Sequence, residues 1–304
     1  MDEMILHHYP TSPYSEKIRL IFGLKGVAWR SVTIPQIMPK PDVIALTGGY
    51  RRTPIMQIGA DIYCDTACIA REIDRRYPQQ PLYPSPEAET IASWAEAKTF
   101  GPAVGVAFAH IGDTLPQEFK DDRAKFSGRD FNPERMRLAL PYMQDQVRSV
   151  LVVLDEMLKD GRPFLLGSSA SIADFGAYHP LWFIVSRVGR AVEPLDRFAR
   201  LLEWMARIKA IGHGKPTDMS SKEAIDAARA SKPAPALGAD PQDPAQRKPG
   251  DRLSVMPDDT GREPMVGELV GSSAREIVIR RTDERAGTVH VHFPRLGYMV
   301  MPAK

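Results

Sequence analysis

Two kinds of hydrophobic periodicity divide this chain, and they change over at a proline-rich stretch. Up to residue 77, short apolar runs alternate with helical stripes; from Glu87 to about Ala210 almost no strand pattern occurs. Residues 4–9 (MILHHY) read as a short strand closed by Pro10 and Pro13. Ser12-Pro13 then opens a helix, Ser being favoured as N-cap and Pro at the first helical position. Tyr14, Ile18, Ile21 and Phe22 form its half-buried stripe. A second strand runs from Trp29 to Ile34, and a Pro- and Gly-rich loop from Pro35 to Gly49. Pro54–Ile58 and Asp61–Cys64 make a hairpin turning at Gly59-Ala60. Asp65-Thr66 begins a helix with Ile69, Ala70, Ile73 and Tyr77 on one face.

The order β-α-β, then β-β-α, is the thioredoxin-like arrangement. Residues 78–86 hold four prolines and read as a linker. Beyond them, Ile91, Trp94 and Ala95 start a helix reaching about His110. Val147, Val150, Leu151, Leu154, Met157 and Leu158 make one clean stripe, and Phe198, Leu201, Leu202, Met205 and Ile208 another. Successive amphipathic helices imply a bundle domain. Residues 232–250 carry five prolines and no apolar periodicity, as an extended, mobile linker would. Short alternating runs then return: Leu253–Met256, Val266–Val270, Glu276–Arg281, Thr288–Phe293 and Tyr298–Met301. They predict a small sheet or partly closed barrel. A chain of 304 residues outgrows one core. The expected units are 1–79 (α/β), 87–231 (all-α), a linker at 232–250 and a small all-β domain at 251–304.

Charge and cysteine usage narrow the function. Forty basic residues nearly balance 38 acidic ones, which argues against a nucleic-acid surface. The two cysteines, Cys64 and Cys68, form no CxxC pair, so neither a dithiol motif nor a zinc ribbon is expected. They read as small buried residues. No signal peptide is evident, and the longest aliphatic run, Val150 to Leu154, is too short to span a membrane. A cytoplasmic protein is expected.

Four local patterns occur in order. They are Thr11-Ser12-Pro13-Tyr14 after the first strand, Arg51-Arg52-Thr53-Pro54 before the hairpin, Asp65-Thr66 at the third helix, and Ser171-Ile172-Ala173-Asp174 before Phe175. With these, residues 4 to 215 or so resemble the cytosolic glutathione S-transferase superfamily, of the serine, bacterial-like type. The resemblance implies the glutathione transferase fold, a homodimer, and glutathione as substrate without a metal. It implies that Ser12 donates to the glutathione sulfur, with Thr11 and Tyr14 as alternative hydroxyls. A plain helix cap is the other reading of Ser12. It implies a cis bond before Pro54 and pairing of the Thr53 backbone with the cysteinyl unit. Arg51 and Arg52 would meet the glycyl carboxylate, or be solvated loop charges. Asp65 suits the γ-glutamyl ammonium, and the Thr66 hydroxyl with nearby helix amides suits its carboxylate. Ser171 and Asp174 form a capping box that serves folding.

The thiolate so formed would attack an electrophilic small molecule. Tyr14, Phe100, Val104 and Phe108 would wall the acceptor pocket, or else form domain-interface core. A non-catalytic glutathione-binding protein and a glutathione-dependent disulfide reductase are the alternatives. His290 and His292 share a strand face with no further ligands in view, and are expected as exposed sheet histidines.

Overall fold

The computed structural model describes residues 3–235 and 238–303. Met1, Asp2 and Lys304 at the ends of the expected units, and Ala236 and Leu237 of the expected linker, lie outside the described residues. The α/β unit comprises β1 (Met4–His8), α1 (Pro13–Leu24), β2 (Ala28–Thr33), α2 (Pro41–Thr47), β3 (Ile55–Ile58), β4 (Asp61–Cys64) and α3 (Thr66–Arg76). Helix α2 occupies the stretch read as loop. The helical part contains α4 (Pro86–Ile111), α5 (Gln117–Ser127), α6 (Pro133–Leu138), α7 (Leu140–Met157), α8 (Ile172–Val188) and α9 (Ala199–Ala210). Then come β5 (Lys215–Asp218) and α10 (Ser221–Ala230), and last β6 (Arg252–Pro257), β7 (Met265–Ser272), β8 (Glu276–Asp283), β9 (Gly287–Pro294) and β10 (Tyr298–Pro302). No described helix is long and apolar enough to cross a membrane.

Ten strands form one sheet in the order β10-β6-β7-β8-β9-β4-β3-β1-β2-β5. The β-rich C-terminal region is present, and its strands continue the first sheet. The joint is a parallel pairing of β4 with β9, Asp61 opposite His290 and Tyr63 opposite His292. Alternation along the strands sends side chains to two cores. Met4, Leu6, Met56 and Ile58 pack with the helical domain. Ile5, Ile55, Ile62 and Cys64 pack with Leu46 of α2, Ile225 of α10, and Val255, Ile279 and Phe293 of the C-terminal strands. The sheet curls strongly. Five neighbour spacings of about 4.8 Å separate β10 from β4 in a flat sheet, yet the Tyr298 hydroxyl of β10 lies 3.2 Å from Asp65, the residue after β4. The described part of residues 232–250 is tied down. Gly238 accepts from the Ser272 amide, Gly250 donates to Leu269, and buried Asp243 holds Arg247 at 2.8 Å.

In the helical domain, α4 and α8 pack without room for a methyl group. A Cβ on Gly176 would lie 2.8 Å from Ala92. The start of α8 is fixed by Asp174, which is fully buried. Its carboxylate accepts from the Leu165 amide (2.9 Å), the Trp204 indole (3.0 Å), and the amide and hydroxyl of Ser171 (2.9 and 3.1 Å). Asp174→Ala orphans these buried donors at about 1–3 kcal/mol each. We expect a loss of at least about 4 kcal/mol in urea unfolding.

His290 and His292 are not exposed sheet histidines. Both are largely covered, because β4 packs beside β9. His292 lies 3.0 Å from Asp61 and 2.9 Å from Glu276, and stacks on Tyr63 with centroids 4.3 Å apart. Burial disfavours its charge, but the two carboxylates outweigh it and raise the imidazole from 6.5 to about 9. A raised folded value stabilises the fold fully below pH 6.5 and loses that contribution as pH rises through 9. The shift corresponds to about 3 kcal/mol. The stability gap between wild type and His292→Gln should therefore be widest below pH 6.5 and shrink steadily toward pH 9 and above.

Candidate functional site

The end of β1, the start of β3 and the end of β4 meet on one side of the sheet, at the strand ends, because His7 pairs with Ile55 and Ile55 with Cys64. The loops leaving those ends carry Ser12, Thr53-Pro54 and Asp65-Thr66 together. Ser12 is the N-cap of α1: its oxygen accepts from the Ser15 amide at 3.2 Å. It is 2% exposed. Since the oxygen acts as acceptor, the hydroxyl proton stays available to donate. Thr11 is half-buried beside it.

The Thr53–Pro54 peptide is cis. The Thr53 hydroxyl receives the Lys40 ammonium at 2.9 Å. Lys40 is buried, with the Arg51 carbonyl as a second acceptor at 3.3 Å and the Tyr9 ring 5.7 Å away. Burial, with Arg123 and Arg51 nearby, lowers it to about 7 even though Asp122 pulls it up. Asp65 caps α3 through the Ala67 amide at 2.9 Å. Its backbone sits at φ 73°, ψ 140°, a region costing a non-glycine residue about 1–3 kcal/mol. The strained turn aims the carboxylate across the helix start.

Arg51 and Arg52 are both engaged within the chain. Buried Arg51 binds Asp122 of α5 at 2.8 Å and Glu263 of the β6–β7 loop at 3.0 Å, and lies over the Phe126 ring. Arg52 binds Asp259 and the Thr260 carbonyl of that same loop, and stands 3.9 Å from Asp65. Neither is a solvated loop charge.

A second polar group lies at the domain boundary. Lys17 of α1 donates to Thr66 Oγ1 at 3.3 Å and pairs with Glu96 of α4 at 2.8 Å; Glu96 also meets His179 of α8 at 3.1 Å. Burial opposes charge on Glu96, but Lys17 and His179 outweigh it and hold the carboxyl well below the usual range. Burial lowers His179 despite Glu96. Tyr14 stacks near both Phe100 (4.8 Å) and His179 (4.6 Å). Burial, with Glu96 and Asp65 adding, raises its hydroxyl well above 10, so it stays protonated.

Phe108 is placed apart from Tyr14. It packs into a separate aromatic core with Phe119, Phe131 and Phe183, and Val104 leans on that core. Ser171 and Asp174 also stand away from the strand ends, at the α8 cap. Lys17, Lys40, Glu96, His179 and Tyr298 escaped the sequence reading. Lys17 alone carried a signal, a lysine three residues after Tyr14 on a helix with a buried stripe. Among the described residues no group of three or more His, Cys, Asp and Glu side chains is placed to hold a metal ion.

Family models decide the kinship. The glutathione S-transferase N-terminal domain matches residues 6–81 and the C-terminal domain residues 94–207. A GST-like protein from Pseudomonas syringae superposes over 100% of both chains, with 40% identity and a TM-score of 0.83. The chain belongs to the glutathione S-transferase superfamily. A glutathione S-transferase from Rhodospirillum rubrum is 18% identical over 68% of this chain and 88% of its own, with a TM-score of 0.53. Gtt2 from Saccharomyces cerevisiae is 19% identical over 68% and 99%, with a TM-score of 0.51. No curated protein matches the chain. The two shorter glutathione S-transferase fold neighbours leave about a third of this chain uncovered, whereas the Pseudomonas protein matches it throughout. The C-terminal strands are thus shared with that relative.

Glu96→Gln tests the boundary cluster of this transferase-family fold. It leaves Lys17, whose side chain is 7% exposed, without a counter-charge. Removing one partner of a fully buried pair costs about 3–5 kcal/mol. Glu96 is 23% exposed, so we expect about 2 kcal/mol in denaturant unfolding at pH 7. The deficit should vanish in acid, since a depressed carboxyl stabilises only above its unfolded value and loses that contribution as pH falls.

Proposed function

We propose that this chain binds glutathione at the β1, β3 and β4 ends and is a glutathione transferase acting on an electrophilic small molecule. The observation carrying this reading is the state of Ser12. Its oxygen is held by the Ser15 amide at the positive tip of α1, and among the described residues nothing claims its proton. A free thiol ionises near 8.5, and lowering that by about two units takes about 2.7 kcal/mol. A hydrogen bond to a charged sulfur supplies about 1.5–3 kcal/mol, and the helix tip about 0.3–1 kcal/mol. Together they suffice at pH 7. The protein's own thiols are poor substitutes, because burial raises both Cys64 and Cys68 well above the ordinary range.

The rest of the tripeptide has chemically matched partners. Asp65 meets the γ-glutamyl ammonium. The Thr66 hydroxyl, which receives Lys17 and so keeps its own proton to give, meets the γ-glutamyl carboxylate. The Thr53 backbone pairs with the cysteinyl unit. Lys40, a buried amine whose hydrogen bonds among the described residues go to the neutral oxygens of Arg51 and Thr53, suits the glycyl carboxylate. Arg51 and Arg52 act one step back, holding α5 and the β6–β7 loop around this end. Tyr14 and Phe100 offer the apolar wall for the electrophile, next to His179.

A second reading, glutathione binding without turnover, is favoured by one observation: the β6–β7 loop is locked over the site edge by Arg51 and Arg52. Retention on glutathione-agarose followed by conjugation of an aryl halide separates the two. The transferase reading expects retention and turnover. Ser12→Ala should lower kcat about 10- to 100-fold at pH 6.5 while leaving retention intact. Its rate–pH profile should move toward the free thiol value of about 8.5. Retention without turnover favours plain binding. Unchanged turnover in Ser12→Ala passes the hydroxyl role to Thr11 or Tyr14.

A further inference from the structure

The carboxylate of Asp65 has a partner from the opposite end of the chain. Tyr298 of β10 directs its hydroxyl to Asp65 Oδ2 at 3.2 Å, and meets the Tyr50 hydroxyl at 2.9 Å. A phenol has one proton to give. Because Tyr298 spends its proton on Asp65, Tyr50 must be the donor to Tyr298. The three groups form a one-way chain, Tyr50 to Tyr298 to Asp65, in which each bond strengthens the next. Burial holds both phenols well above 10, so neither loses its proton near neutrality. The Arg52 guanidinium lies 6.0 Å from the centre of the Tyr298 ring and 3.9 Å from Asp65 Oδ2.

A carboxylate offers about four lone-pair positions. The Ala67 amide takes one on Oδ1 and Tyr298 takes one on Oδ2. Positions are left over for a further donor, and with the Arg52 guanidinium 3.9 Å from Oδ2 the two bonds narrow the directions from which a further cation can be accepted. The Asp65 side chain stays 24% exposed, so the carboxylate is still reachable beside the buried phenol.

We propose that Tyr298 is a positioning residue for the γ-glutamyl end of glutathione. Supplied by the C-terminal strands, it fixes the orientation of the Asp65 carboxylate so that this carboxylate selects a ligand bearing the α-ammonium. The inference rests on Asp65 as the ammonium partner. It gives the C-terminal strands a role in ligand choice: their curl is what carries β10 back to the end of β4.

The test is calorimetric titration of the full chain with two ligands, glutathione and an analogue whose γ-glutamyl group is replaced by glutaryl, which lacks the ammonium. Wild type, Tyr298→Phe and Tyr50→Phe are compared. We expect wild type to prefer glutathione. Tyr298→Phe keeps the ring and should weaken glutathione about tenfold, the scale of one hydrogen bond to a charged group. It should leave the glutaryl analogue within about twofold, and raise KM for glutathione with little change in kcat. Tyr50→Phe, more remote, should shift glutathione the same way by less. Equal weakening of both ligands would reduce Tyr298 to a packing residue and overturn the proposal. Tighter glutathione binding by Tyr298→Phe would overturn it too, by showing that the phenol competes with the ammonium. Wild type that binds the two ligands equally overturns the assignment of Asp65, and wild type that binds neither overturns the glutathione reading itself.

Discussion

The parallel pairing of β4 with β9 is the contact on which the rest of this molecule turns. A sheet edge presents unpaired amides and carbonyls, and here β4 spends its free edge on a strand more than 220 residues downstream by the numbering of Asp61 and His290. That pairing makes ten strands one sheet and gives α2 and α10 a second core to cover. The joint is reinforced by charge. His292 is held between Asp61 and Glu276, so three strands, β4, β8 and β9, share one imidazolium. The curl of the same sheet then brings β10 to the loop that follows β4. A single pairing choice thus links the stability of the C-terminal strands to the geometry at Asp65.

Buried charges recur wherever two parts of this chain meet. Lys17 and Glu96 join the α/β unit to the helical domain, Arg51 joins β3's approach to α5 and to the β6–β7 loop, and His292 joins β9 to β4. Apolar residues of equal volume hold such boundaries at least as firmly, because taking ions from water costs several kcal/mol each. What ion pairs add is direction. A lysine between Glu96 and Thr66 orients the Thr66 hydroxyl; an isoleucine in that place would leave it free to turn. The pattern is therefore better understood as fixing hydroxyl and carboxylate orientation at the strand ends than as a source of net stability.

Local chemistry was legible in the sequence and long-range pairing was not. The five C-terminal strands announce themselves by alternation, and Ser12-Pro13 and Ser171 to Asp174 by capping preference, since each of these signals is written within a few residues. Helix α2 was hidden because its seven residues lie in a Pro- and Gly-rich stretch too short for a period to show. Strand β5 (KPTD) is fully exposed and carries no apolar alternation at all. The burial of His290 and His292 is not legible locally, because it depends on β4, a partner that no local pattern names. Tyr298 is the sharpest case: a tyrosine in a short alternating run says nothing of Asp65. Phe100 and Phe108 lie on one helical stripe, yet α4 is long enough that its two ends face different neighbours, Tyr14 for the one and the Phe119, Phe131 and Phe183 cluster for the other.

The division of labour at the site follows from where each charge is allowed to be. In the proposed function Ser12 would work in nearly dry surroundings, where a neutral hydroxyl and a helix tip would stabilise a sulfur anion without a proton acceptor of their own. A full positive charge beside the sulfur would hold the thiolate more tightly but would also blunt the proposed attack, because it would stabilise the thiolate more than a transition state in which that charge is being spent. Two lysines stand beside the residues proposed for the two ends of the ligand. Lys17 stands beside Thr66, and Lys40 beside Thr53, while the middle is left to Ser12 and the neutral phenol of Tyr14. Lys40 is poised near 7 by its burial, so an incoming carboxylate would restore the charge that desolvation removes. In the proposed function binding energy would thereby be concentrated on the ends of the ligand, far from the reacting atom, an arrangement that would leave the sulfur reactive.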